Sequence, residues 1–181
     1  GPHAEYAPFS IDDIIGKGFD YWALGHIHKQ RIIRYSNPSV VYPGNPQGRD
    51  FGETGLKGCY FVELKKEMEP ELEFIPTQLI QLENIEIDLT GAERIDEVES
   101  LVRDVLNNLA EEGNQSNMIL RIFFKGRTTL HPYLQKQDEI NRLKEYFNEG
   151  QLTLDRFVWI DSIIAVTRPN IDIDTIKRGT G

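Results

Sequence analysis

The 181-residue sequence is poor in cysteine: Cys59 is the only one. No internal disulfide can form, so the fold must close on apolar packing, and the usage fits a reducing, cytoplasmic setting. Long hydrophobic runs are missing too. The most apolar stretch, Phe157 to Val166, is interrupted by Asp161 and falls well short of the roughly 20 apolar residues of a spanning helix, so no membrane role is expected. Basic residues are outnumbered, with 20 Lys and Arg against 29 Asp and Glu and a net charge of −9. Residues 1–80 carry 8 basic and 11 acidic side chains, and residues 81–181 carry 12 and 18. Such a balance excludes the broad basic footprint of a nonspecific nucleic-acid binder, and leaves any DNA contact to local patches.

What is present is an ordinary globular composition, with 39% hydrophobic and 27% charged residues. The sequence opens with Gly1-Pro2, a pair often left after a tag is cut off, and runs directly into "HAEYAPFSIDD". It is therefore expected to read from the middle of a protein. Two textures follow. Residues 1–80 are rich in Gly, Pro and Tyr, with short apolar runs. "FSIDDIIGKG" (9–18) predicts a short helix capped by Ser10 and stopped by glycine. "FDYWAL" (19–24) predicts a buried strand, "RII" and "VVYP" a hairpin about "SNPS", and "GCYFVEL" (58–64) and "LEFIP" (72–76) two more strands. A helix feeding a strand, then a series of antiparallel strands, is expected.

Residues 81–181 change period. "IEIDL" (85–89) alternates as a half-buried strand; Ile95, Val98, Leu101, Val102, Val105, Leu106 and Leu109 recur at three and four, a helix ended near Gly113. "MILRIFFKG" (118–126) predicts a strand, Ile140, Leu143 and Phe147 a second helix ended at Gly150, and "FVWIDSIIAV" (157–166) a last strand. The order β-α-β-α-β closes on itself as a small α/β unit. The expected boundary lies near residues 78–84, and residues 167–181 form a loosely held tail.

The chemistry concentrates in "YWALGHIHKQ" (21–30), where His26 and His28 stand one residue apart after the apolar run. On an extended backbone they would share a face, their Cα atoms roughly 6.5 Å apart. They could then serve one metal, or two metals about 3.5–4 Å apart. Gly25 allows a sharp turn at the strand end. Imidazole does not choose among Zn, Mn, Fe and Co. A short HxH is weak evidence by itself, and a solvated turn is the plain alternative.

"DYWALGHIHKQ" resembles the last metal motif, GHxH, of the calcineurin-like metallophosphoesterases. The block from "YAPFSIDDIIGKGFDYWALGHIHKQ" through "VVYPGNPQGRDFGETGLKGCYFVEL", residues 6–64, is similar to the SbcD-like DNA-repair exonucleases, and closest to their YhaO-like branch. The resemblance implies an α/β (α+β) fold: residues 1–80 as the C-terminal piece of a metallophosphoesterase β-sandwich core, cut upstream, and residues 81–166 as the capping domain. It implies a phosphodiesterase with two divalent ions, usually manganese, His26 binding one and His28 the other. It also implies DNA and an SMC-like ABC-type ATPase as partners. The family's upstream motifs, a DxH, a GDxxD aspartate and a GNHD, do not occur here; "GNPQ" has only the first two residues of GNHD, and His3 stands too close to Tyr6 for the further metal histidine. Two neutral imidazoles cannot bridge an ion pair, so the fragment is expected to be inactive alone.

Other segments offer weaker candidates. "YPGNPQGRDFGETG" (42–55) is a loop in which Arg49 and backbone N–H groups could face a phosphate. Lys125-Gly126-Arg127 reads better as a solvated turn than as a phosphate contact, because the surrounding half is acidic. Phe123, Phe124 and Trp159 read as core rather than as base-stacking platforms. His131, before Pro132, reads as structural. Two other functions stay open: a non-catalytic module contacting DNA or a partner ATPase, and a phosphoesterase with a non-DNA substrate. Strands cut from a larger sandwich leave an open edge, which would let two chains pair as a homodimer.

Overall fold

Ser10 starts the first element by reciprocal capping. Its hydroxyl accepts from the Asp13 N–H at 3.3 Å, and the Asp13 carboxylate accepts from the Ser10 N–H at 2.7 Å, fixing α1 (Ile11–Ile14). The computed structural model describes residues 9–111 and 116–170, so His3, Gly113 and the tail beyond Asn170 lie outside the described residues. The chain divides into two units, one of residues up to Gln47 with Leu56–Gln78, the other of Gly48–Gly55 with Leu79 onward.

In the first unit, β1 (Tyr21–Ala23), β2 (Arg31–Arg34) and β3 (Ser39–Tyr42) form one sheet in the order β1-β3-β2. β2 and β3 are the expected antiparallel hairpin, turned about a cis Asn37-Pro38 bond. β1 departs from expectation: it pairs parallel with β3, Trp22 beside Val40. The reason is that the histidine loop, not a tight turn, leaves β1, which lets β3 enter between the other two strands. Ser39, Val40 and Val41 are fully buried in succession, as a central strand covered on both faces requires. β4 (Gly58–Glu63) and β5 (Glu71–Pro76) make a separate antiparallel pair. Gly58 is needed there, because a Cβ would overlap the Ile75 carbonyl oxygen.

The second unit runs β6 (Ile80–Asp88), α2 (Ile95–Glu111), β7 (Asn117–Lys125), β8 (Arg127–Thr128), α3 (His131–Leu134), α4 (Gln137–Asn148), a 3-10 turn (Gln151–Thr153), β9 (Val158–Ala165) and β10 (Arg168–Pro169). β6, β7 and β9 form a parallel sheet in that order. Both crossovers step the same way, and right-handed connections then lay both helices on one face. Val98 and Val102 of α2 and Ile140, Leu143 and Phe147 of α4 pack with Leu120, Ile122, Phe124 and Ile160 in one cluster. Leu101, placed on the α2 stripe by its spacing, is 38% exposed and falls off it. Arg156 closes α2, its guanidinium donating to the Leu109 and Ala110 carbonyls at 3.0 Å each. Buried Asn148 ties α4 to β9 through paired bonds to the Ile160 backbone, both 2.8 Å.

The sheet's other face corrects an expectation. Adjacent residues of a strand point to opposite sides, so Phe124 enters the helix-covered core while Phe123 does not. Phe123 and Trp159 are half-buried on the opposite face. Part of that face is covered by residues 48–55. The Gly55 N–H donates to the Leu82 carbonyl at 3.1 Å, the Asn84 amide donates to the Phe51 carbonyl at 2.9 Å, and the Phe51 ring lies 4.1 Å under the Arg121 guanidinium.

Candidate functional site

The histidine pair sits on a turn, not on extended backbone. The Leu24 N–H donates to the Val41 carbonyl at 2.8 Å, prolonging β1 by one bond, and the Ile27 N–H then donates to the Gly25 carbonyl at 3.0 Å. That bond closes a three-residue turn with His26 at its centre, φ +76°. A positive φ with this bond is the rarer, strained form of such a turn, and histidine tolerates it better than most side chains. The strand-based spacing between the two imidazoles therefore does not apply. Both His26 and His28 are exposed.

What holds the turn comes from elsewhere in the same unit. Gly44 (φ +83°) lies so close that a Cβ there would meet the His28 carbonyl oxygen at 2.9 Å and the Gln30 N at 3.0 Å. Lys57 is only 6% exposed, and its ammonium reaches the His28 carbonyl at 3.5 Å. Its own backbone is fixed by Gln78, whose side-chain carbonyl accepts from the Lys57 N–H at 3.1 Å. Gln30 donates to the Tyr60 hydroxyl on β4. A buried ammonium is costly to keep, and here it faces the backbone of the histidine turn. Neither Lys57 nor Gly44 stands out in the sequence as part of a site. The only signal for Lys57 is its place inside "GLKGC", where no periodicity exposes it.

As donors, two imidazoles fit part of a divalent-metal site and lack the carboxylate that would bridge two ions. Among the described residues no group of three or more His, Cys, Asp or Glu side chains is placed to hold an ion. Arg49 lies in the 48–55 segment, which counts with the second unit. Its guanidinium donates to Glu53 at 2.9 Å and its N–H to the same carboxylate at 3.0 Å. That partnership raises the Arg49 pKa above its ordinary value, through the hydrogen bond first and the charge of Glu53 second. His131 faces the Thr167 hydroxyl across 3.0 Å at the start of α3, the structural setting expected for it. Among the described residues no helix is long and apolar enough to cross a membrane.

Known proteins resemble both parts of the chain. Residues 83–168 match the family described as metallophosphoesterase YhaO, middle domain. The chain is also 32% identical over 157 residues to a protein named "Uncharacterized metallophosphoesterase YhaO" from Bacillus subtilis (strain 168). The similarity covers 87% of this chain and 38% of that protein, so the chain spans well under half of its relative.

Proposed function

With the match to a metallophosphoesterase middle domain as premise, we propose that this chain is part of a metal-dependent phosphoesterase, and more narrowly of a DNA-repair exonuclease. One observation carries the reading: an exposed histidine turn stands in the same chain as a segment matching that middle domain. In this reading His26 binds one divalent ion and His28 a second, manganese being the ion of choice. When bound, such ions supply an activated water and a clamp on the attacking and leaving oxygens of a phosphodiester. The chain's own contribution is to present the imidazoles. The strained turn lifts His26 outward, and Gly44 and Lys57 hold the backbone of His28. The carboxylates that bridge the ions come from residues outside those described. DNA is the substrate, and an SMC-like ABC-type ATPase is the partner that delivers it.

A second reading is a non-catalytic module that contacts DNA or the ATPase through the second unit. The self-contained core of that unit favours it. One experiment separates the two. In the longer parent protein, His26→Ala and His28→Ala should each lower manganese-dependent cleavage of duplex DNA by about a hundredfold or more. The present chain alone should bind Mn²⁺ weakly by calorimetry and cleave nothing. Unchanged cleavage in both variants sinks the metal-site reading and leaves the binding module.

A further inference from the structure

At the carboxyl ends of β6, β7 and β9 the second unit holds an open cleft of about 400 Å³, lined by Thr90, Gly126, Arg127, Val166 and Arg168. The end of a parallel sheet is where open α/β folds take their ligands. Here two short strands set an unusual pair: β8 and β10 run parallel with Arg127 and Arg168 in direct register. Like charges facing one another across strands repel. In a chain with an acidic excess of nine, carboxylates are plentiful, yet among the described residues neither guanidinium forms an ion pair. Arg127 donates to the Pro169 carbonyl at 3.3 Å. The carboxylate of Asp88, at the end of β6, accepts from the Thr90 N–H at 2.9 Å and from the Thr90 hydroxyl at 2.6 Å. These bonds hold the Asp88 pKa below the usual carboxylate value. Gly126, at φ +92°, lets Asp88 and Thr90 pack directly against its backbone. A Cβ there would overlap the Asp88 carboxylate and the Thr90 hydroxyl.

We propose that this cleft binds a phosphate group between the paired guanidinium groups of Arg127 and Arg168. A phosphate offers oxygens to both planar forks at once and turns their mutual repulsion into a shared attraction. The backbone of single-stranded nucleic acid and a free phosphate compound present the same chemistry. Such a site is independent of the histidine turn and of any metal. It replaces the solvated-turn reading of Lys125-Gly126-Arg127, because the fold brings Arg168 beside Arg127 and no local pattern announces that pairing.

The test uses the full chain in metal-free buffer with chelator present. Inorganic phosphate is titrated by NMR, following the amides of Gly126, Arg127 and Arg168. A short single-stranded oligothymidine is titrated by fluorescence anisotropy. Arg127→Gln and Arg168→Gln should each weaken binding about tenfold, while Arg94→Gln, which removes an arginine already paired with Asp96, should change nothing. Binding of both probes, lost together in the two variants, identifies a nucleic-acid backbone; binding of phosphate alone identifies a free phosphate compound. The proposal is overturned if neither probe binds the unaltered chain, or if both variants bind as it does. A rise in melting temperature in the variants with no dependence on phosphate would equally show a mere clash of charges.

Discussion

The two units close their cores by different means. In the second, sixteen buried side chains from Ile87 to Ile163 form one cluster, and helices and sheet supply both sides of it. In the first, the buried apolar side chains among the described residues include Ile14, Val40, Val41 and Pro70, while Phe19 is 60% exposed and Phe61 56%. The contrast teaches where stability resides. The second unit is held mainly by apolar burial, with polar ties such as Arg156 and Asn148 at the ends of its helices. The first is held by close backbone approaches, at Gly44 and Gly58, and by polar ties such as Lys57 to His28 and Gln78 to Lys57. The histidine turn stands on the less packed unit.

The contrast can be broken by cavity formation. Val102→Ala in the second unit should cost about 3 kcal/mol and the like-sized Val41→Ala in the first about 1 kcal/mol, read as shifts in the denaturant midpoint. Equal losses would mean that the two units do not differ in packing as described. Similar in size, Gly126→Ala should cost about 3 kcal/mol, since a Cβ at φ +92° meets both Asp88 and Thr90. A melting temperature unchanged by this substitution would show that the end of β7 relaxes freely. Phe51→Ala should cost about 1–2 kcal/mol by removing the ring under Arg121. Hydrogen exchange should locate the loss in β6 and β7; a loss confined to the first unit would reassign residues 48–55. The smallest effect has the opposite sign. His26→Gly should stabilise the chain by about 1 kcal/mol, because glycine takes φ +76° without strain. His26→Ala should gain nothing, and equal gains in both would remove strain as the cause.

Legibility in the sequence follows the range of the signal. The α2 and α4 stripes and the apolar strands β7 and β9 repeat within one element, so their period is carried by the residues alone. The parallel pairing of β1 with β3 is not, because nothing local to "DYWAL" states which strand it will meet. Phe123 and Phe124 look alike as core candidates, although neighbours on a strand must part to opposite faces. The histidine pair is legible as chemistry and only partly as geometry: "GHIH" shows the imidazoles and Gly25 permits a turn, but nothing in the residues places the bond from Ile27 to Gly25 that puts His26 at its centre. Arg127 and Arg168 lie forty-one positions apart on strands of two residues each, too short to carry any period.

The assignment of residues 48–55 to the second unit has a consequence for the order of events during synthesis. The chain leaves the first unit after Gln47, gives eight residues to the second, returns at Leu56 and leaves again after Gln78. Those eight residues emerge from the ribosome before β6 exists, so Phe51 must wait for Asn84 and Arg121 to be made. The strap is a late step by necessity. It also changes what a protease can separate. A single nick after Gln78 severs the backbone but leaves the strap gripping the sheet, and only cuts on both sides of the strap, before Gly48 and after Gly55, let the pieces part.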